Sequence, residues 1–287
     1  MRFLKKWLLR IVKLKLKNIK LQSAVLFLVY NRPKITLEVF KSIRIAKPRR
    51  LYIACDGPRS DITGDAQSVA KVQEIVNKID WPCKLKTLFR KKNLGCKKAV
   101  SESIDWFFNY EKQGIIIEDD CKPHLDFFYF CDNLLNRYSK DKRITSITGN
   151  NFQNGKWRGD SSYYFSKYNH CWGWATWKDR WKENDEKIKF WKKFKETEKW
   201  KKTHLNNIEL KYWEKIFDKV YCNKIDSWAY PWTLCVWKKS GLTITPNMNL
   251  VKNIGVGESS THSHFKTNIQ KYLNRKQMKI KIFHTKK

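Results

Sequence analysis

The chain of 287 residues is long enough for one large core, and no Gly/Ser-rich or Pro-rich stretch divides it into independent halves. Its formal charge of +33 predicts attraction to phosphate-rich partners, whether nucleotide, anionic lipid or nucleic acid, without choosing among them. No self-similarity at a period of about 20–50 residues is present, which excludes solenoids and propellers. The eight cysteines form no CxxC pair and no zinc-like spacing with His, so they read as reduced, mostly buried thiols of a cytoplasmic protein without a secretory signal.

Residues 1–20 place Phe3, Leu4, Trp7, Leu8, Ile11 and Val12 at helical spacing among eight Lys and Arg residues and no acid. Repeated charges exclude a spanning helix. The pattern fits a basic amphipathic helix lying on an anionic membrane surface, or one packed on the domain with its basic face in water.

From residue 21 the signals alternate. Ala24 to Tyr30 is a short apolar run ended by Asn31-Arg32-Pro33, which reads as a buried strand meeting a loop. Helical spacing follows from Lys34 to Ala46, then a second buried strand, LYIACDGPR, closed by Asp56-Gly57-Pro58. Val69 to Ile79 is helical by spacing, and Leu85 to Phe89 alternates like a strand. Arg90 to Gly95 is a polar loop, Cys96 to Tyr110 a helix, and Gly114 to Ile117 a strand running into Glu118-Asp119-Asp120. This alternation predicts an α/β fold with a mostly parallel sheet flanked by helices, and ligands gathering beyond the carboxyl ends of the strands.

After about residue 150 the sequence becomes aromatic-rich, with eleven of the fourteen Trp between Trp157 and Trp237. Two or three of these rings are expected to face a ligand and the rest to lie in the core. Phe190 to Trp213 reads as a very basic amphipathic helix or helix pair, a second candidate membrane-facing element. The expected organisation is a basic helix over 1–20 and two further parts, 21–150 and 151–287, that form one continuous unit.

The acid triplet carries the strongest chemical signal. An apolar strand delivers three carboxylates to its tip, where desolvation is costly without a cation or hydrogen-bonding partner. Hard oxygen ligands suit Mn²⁺ or Mg²⁺, and such an ion can neutralise a leaving diphosphate. The alternative is an acidic turn capping the next helix.

The strings VLFLVYNRP, LYIACDGPR, LFRKKNLGCKKAV and IIIEDDC, in that order over roughly residues 22–150, resemble the nucleotide-binding half of GT-A-fold glycosyltransferases. Bacterial family-2-like enzymes and N-acetylglucosaminyltransferases with a Glu-Asp-Asp triplet belong to that group. The resemblance implies that Tyr30, Asn31 and Arg32 lie against the base or ribose and that Asp56 hydrogen-bonds the base. Arg90, Asn93, Gly95 and Lys97 would belong to the loop that closes over the nucleotide and sugar. Glu118 and Asp119 would face ribose and donor sugar, with Asp120 on the metal. The second half resembles the family less completely. There Gly173 and Trp174, in NHCWGWA, would form an acceptor-side loop, and Asp226, opening an apparent helix in IDSWAYPW, would be the catalytic base. His262, or else His264, would join the metal or diphosphate.

The expectation is therefore a metal-dependent, inverting glycosyltransferase that moves a sugar from a nucleotide diphosphate sugar, UDP-sugar favoured, to a glycan or lipid-linked glycan. Such a reaction would belong to cell-surface polysaccharide synthesis at the cytoplasmic membrane face. A retaining transferase is the nearest variant. A sugar-phosphate nucleotidyltransferase would share the alternation and the acids, but it would want a Gly-rich phosphate loop where Tyr30-Asn31-Arg32-Pro33 stands. A basic nucleic-acid-binding protein is the reading from another class, and no specific nucleic-acid module is present to support it.

Overall fold

A computed structural model describes residues 21–255. The helix expected over 1–20, His262 and His264 lie outside the described residues. The first half builds β1 (Ala24–Val29), α1 (Pro33–Ala46), β2 (Arg50–Cys55), α2 (Asp65–Val76), β3 (Lys84–Phe89), α3 (Cys96–Tyr110) and β4 (Gln113–Glu118). These four strands are mutually parallel in the order β3-β2-β1-β4, with β1 between β2 and β4. Strand and helix alternate as the periodicity predicts.

One boundary differs. Helical spacing placed the second helix at 69–79, whereas α2 begins at Asp65 and ends at Val76. The Asp65 carboxylate accepts from the Arg59 backbone N–H at 2.7 Å, folding the preceding loop onto the first turn.

The second half extends the same sheet. After β5 (Cys121–Pro123) and α4 (Leu125–Arg137) come β6 (Ile144–Thr148), β7 (Tyr163–Ser166) and β8 (Trp174–Trp177). Three short helices follow, α5 (Lys178–Trp181), α6 (Trp191–Lys195) and α7 (Glu198–Lys202), then α8 (Asn207–Tyr221), α9 (Ala229–Lys238), β9 (Leu242–Pro246) and β10 (Val251–Asn253). The eight-stranded order is β3-β2-β1-β4-β8-β6-β9-β7, with β8 and β7 running against the other six. Because β8 inserts between β4 and β6, hydrogen bonds of the sheet cross the position near residue 150 where the composition changes.

Alternation along β1 divides the core into two layers. Val25, Phe27 and Val29 face α1, α2 and α4, whereas Ala24, Leu26 and Leu28 face α3 and the Trp-rich helices. The start of β1 is pinned by buried Asp132 on α4, which accepts from the backbone N–H of Gln22 and Ser23 at 3.2 and 2.7 Å.

The basic stretch 190–213 is neither one helix nor a pair. It breaks into α6, α7 and the first half of α8, because polar residues start each new helix. The Thr197 hydroxyl accepts from Trp200 N and the Asn206 side chain accepts from Glu209 N. Eight of the eleven Trp in the 157–237 region are buried. Among them Trp200 packs against Trp191, Phe194 and Phe217, and its indole donates to Glu214 at 3.2 Å.

Replacing Trp200 with Ala removes a fully buried ring and is expected to cost about 3–5 kcal/mol in urea unfolding. Trp157→Ala, at an exposed position, is expected to change stability by less than about 0.5 kcal/mol.

Candidate functional site

β1, β2 and β4 end side by side, Val29 opposite Cys55 and Leu28 opposite Glu118, so their following loops share one edge. Tyr30, Asn31 and Arg32 leave β1 and enter α1 through Pro33, which suits a first helical position. Tyr30 and Asn31 are held by Asp65, a residue sequence reasoning passed over. The Tyr30 hydroxyl donates to Asp65 at 2.6 Å and the Asn31 amide at 2.5 Å, while the Arg59 guanidinium donates at 2.9 Å. Burial alone would raise the Asp65 carboxyl, but these bonds outweigh it and hold it well below the ordinary range. The signal available in the sequence was Gly64-Asp65 before an apolar-periodic stretch, a helix start.

Asp56, at the end of β2, clamps the loop before α3. Its carboxylate accepts from the Asn93 side chain at 3.0 Å and from the Leu94 backbone N–H at 3.1 Å. Burial pushes this carboxyl up, partly offset by the backbone amides of Leu94, Gly57 and Gly95 and by the Arg90 charge. Gly57 makes the approach possible, since a Cβ there would lie within 2.6 Å of three backbone atoms of Lys92. Asn93 also donates to the Gly57 carbonyl at 2.9 Å. Asp56 and Asn93 are thus brought together as a loop lock.

Asp226 meets the same loop from the far half of the chain. Its two carboxylate oxygens accept from the backbone N–H groups of Cys96 and Lys97, each at 3.0 Å, so it caps the N-terminus of α3. It does not open its own helix: α9 begins at Ala229, where the Ser227 hydroxyl accepts from Ala229 N. Lys97 turns to the Asn223 side chain at 3.0 Å, and Arg90 pairs with Glu102 at 3.3 Å. Neither lines the cavity described next.

Beyond the strand ends lies a cavity of about 1240 Å³ walled by both halves of the chain. Tyr30, Asn31, Arg32, Asp56, Asn93 and Gly95 line it, as do Glu118, Asp119, Asp120 and Asp226. From the aromatic half come Asn169, His170, Cys171 and Trp172, then Trp213, Trp228 and Tyr230. Gly173 and Trp174 stand behind that wall. Gly173 packs on Val251 and Phe127, and buried Trp174 stacks on Trp228 at 5.4 Å. The residues that face the cavity are the four preceding them, because β8 begins at Trp174 and carries its ring into the core.

The acid triplet has a built-in counter-charge. Arg32 donates to both Asp119 oxygens and, at 3.2 Å, to Asp120. Burial works against the guanidinium charge, but the two carboxylates outweigh it. Glu118 and Asp119 are both pushed up, first by burial; Glu118 also feels its two acidic neighbours, while Arg32 opposes the shift at Asp119. Trp228 opposes the shift at Glu118. Arg32 therefore binds the acids rather than standing free for a base or ribose. The C-terminal segment returns here as well. β10 pairs antiparallel with β5, the Ile254 N–H donates to the Asp120 carbonyl at 2.8 Å, and Gly255 lies against Asp120 and Arg32.

Among the described residues no group of three or more His, Cys, Asp or Glu side chains is arranged as a ready metal cage. The donor set nevertheless suits a hard cation held by one or two carboxylates with phosphate and water completing the shell. Three acids face one guanidinium, and burial disfavours the uncompensated charge.

No protein-family model matches the chain, and no curated protein matches it. Among solved structures it is similar to HddC from Yersinia pseudotuberculosis, at 12% identity over 44% of this chain and 57% of that one, with a TM-score of 0.30. It is also similar to a UDP-glucose pyrophosphorylase complexed with UDP-glucose, at 11% identity over 78% of this chain and 89% of that one, with a TM-score of 0.39. The chain thus spans little more than half the length of the HddC chain.

His170, packed edge-on to Phe152 at 4.5 Å, is pushed down by burial to about 4. The folded imidazole stays neutral where the unfolded one, with an ordinary value of 6.5, takes up a proton. Its contribution is complete above pH 6.5 and is lost as pH falls toward 4, by up to about 3 kcal/mol. Urea midpoints at pH 7 and 4.5 are expected to fall less steeply for His170→Phe than for the parent chain.

Proposed function

We propose that the chain is a metal-dependent glycosyltransferase of GT-A type that takes its sugar from a nucleotide diphosphate sugar, with a UDP-sugar favoured. The observation that carries this reading is the Glu118-Asp119-Asp120 triplet on the wall of a cavity larger than the roughly 300–1,000 Å³ usual for one small ligand. Space of that size, lined by polar loops on one side and by Trp172, Trp213 and Trp228 on the other, suits a donor and an acceptor together. The acceptor read from those rings is a glycan, lipid-linked or free.

In this reading Asp120 holds Mn²⁺ or Mg²⁺, with the donor diphosphate supplying further oxygens. The ion supplies charge neutralisation for the departing nucleoside diphosphate. Tyr30 and Asn31, fixed by Asp65, face the nucleoside side. Asp56 and Asn93 hold the loop that carries Gly95 to the cavity wall, and Glu118 and Trp228 meet the sugar.

Asp226 takes the proton of the acceptor hydroxyl as its oxygen bonds to the anomeric carbon and the bond to the diphosphate breaks, which inverts that centre. A retaining enzyme would give the opposite product anomer, read directly by NMR. His262 is assigned, as in the sequence, to the same metal or diphosphate.

A panel of nucleotide sugars with Mn²⁺ tests the reading. One donor at about 100 times its Kd should stabilise the protein by about 2.7 kcal/mol in thermal unfolding, and Asp120→Asn should abolish the shift. Absence of any shift across the panel overturns the proposal, and pyrophosphate release from a nucleoside triphosphate and a sugar phosphate replaces it with nucleotidyl transfer. Asp226→Asn separates two roles. If Asp226 is the base, turnover falls by at least about a hundredfold with donor binding kept; if it only caps α3, the Asn side chain preserves most of the activity.

A further inference from the structure

The segment 187–224 carries twelve lysines against five acids. On α8 the inner face packs Trp213, Phe217 and Val220 into the core. The outer face exposes Ile208, Lys211, Tyr212, Lys215 and Lys219, at helical spacings of three, four, seven and eleven from Ile208. Leu205 stands just before this stripe. Leu205 is 87% exposed, Ile208 83% and Tyr212 55%. Isolated apolar side chains on a surface are ordinary, but an adjacent Leu and Ile presented this openly among lysines are not.

The exposure is held in place. The Leu205 N–H donates to Glu209 at 2.9 Å, and Glu209 also accepts from Lys167 at 2.6 Å and from the Tyr168 hydroxyl. Asn206 caps the helix through Glu209 N, so the tip is anchored at both ends of its turn. Beside it Lys211, Lys215, Lys219 and Lys224 border a shallow depression of about 420 Å³. The two acids that also line it are already engaged: Glu214 accepts from the Trp200 indole, and Asp218 from the Trp191 indole and Lys195. Among the described residues no carboxylate comes within ion-pair distance of those four lysines.

We propose that this face docks on an anionic lipid bilayer, with Leu205, Ile208 and Tyr212 entering the headgroup and acyl boundary and the lysines reaching lipid phosphates. The combination of apolar tip and basic flank is what an interfacial helix requires. A nucleic acid would satisfy the lysines but offers nothing to a bare Leu and Ile. Trp213, next to Tyr212 on the same helix, lines the cavity, so docking brings that wall of the cavity to within about one helix diameter of the membrane. A lipid-linked acceptor would be presented there; that last link rests on the proposed transferase reading, whereas the docking does not.

The test is co-sedimentation of the full chain with phosphatidylcholine vesicles with and without about 30% phosphatidylglycerol. Leu205→Ser/Ile208→Ser is expected to lower the partition coefficient on anionic vesicles about tenfold. Lys211→Gln/Lys215→Gln/Lys219→Gln is expected to lower it by at least about tenfold, given about 1 kcal/mol for each basic residue at the surface. Both variants should melt like the parent, since the altered side chains lie outside the core. Parent-like partition of either variant overturns the proposal and assigns membrane binding elsewhere in the chain, as does parent binding to RNA but not to vesicles. Nucleotide-sugar stabilisation measured on the same preparations reports on the transferase reading alone.

Discussion

Three consecutive carboxylates at the end of a buried strand are the constraint around which the rest of the site is arranged. β4 is apolar through Ile117, and Glu118 to Asp120 arrive where water is already scarce. Their mutual repulsion and desolvation are relieved by Arg32, delivered by the loop after the adjacent strand β1. One guanidinium cannot balance three acids, and Glu118 and Asp119 are pushed up first by burial and then by their acidic neighbours. The physical cause that raises those carboxyls is also what favours an additional cation. The same point fixes the chain's return path, because the Ile254 N–H binds the Asp120 carbonyl and completes the β5–β10 pair.

A second set of acids does architectural work around the first. Asp65 gathers Tyr30, Asn31 and Arg59; Asp56 gathers Asn93 and Leu94; Asp226 gathers the first amides of α3. Each joins two loops that the parallel sheet brings to one edge but does not itself connect. The six acidic residues thus divide by task, three concentrating charge and three ordering backbone. Asp226 belongs by geometry to the ordering group while also facing the cavity, so a role in proton transfer would ask one carboxylate to serve both ends.

The division explains what was legible in the sequence. Apolar runs and helical spacing located β1, α1, β2, α3 and β4 closely, since both faces of the parallel strands are buried and each helix lays one stripe on the sheet. The triplet was legible because three acids after GIII have no ordinary place in a core. Long-range pairings were not. Nothing local in WGWATW announces that β8 will run antiparallel between β4 and β6, and nothing in DSWAY shows that Asp226 caps a helix 130 residues earlier. Asp65 was hidden for the same reason, as its partners lie 6, 34 and 35 positions away. The helix pair expected at 190–213 failed on capping by Thr197 and Asn206, local signals that the basic amphipathic pattern overshadowed.

The aromatic half ties the charged floor to the outer surface. Trp228 lines the cavity with Glu118 and rests on Trp174, which also meets Trp181 and Trp232 in a buried layer behind the cavity wall. Trp213 lies in the wall on one side and stacks on Phe217 on the other, with Trp237 edge-on at 4.8 Å. Rings in such a lattice lose little further freedom when a ligand stacks on them, because packing already holds their orientation. The buried Trp therefore act on the cavity at one remove, by making Trp213 and Trp228 rigid walls. Trp213 also joins this lattice to the outer surface, since it lines the cavity and shares α8 with the exposed Ile208 and Tyr212.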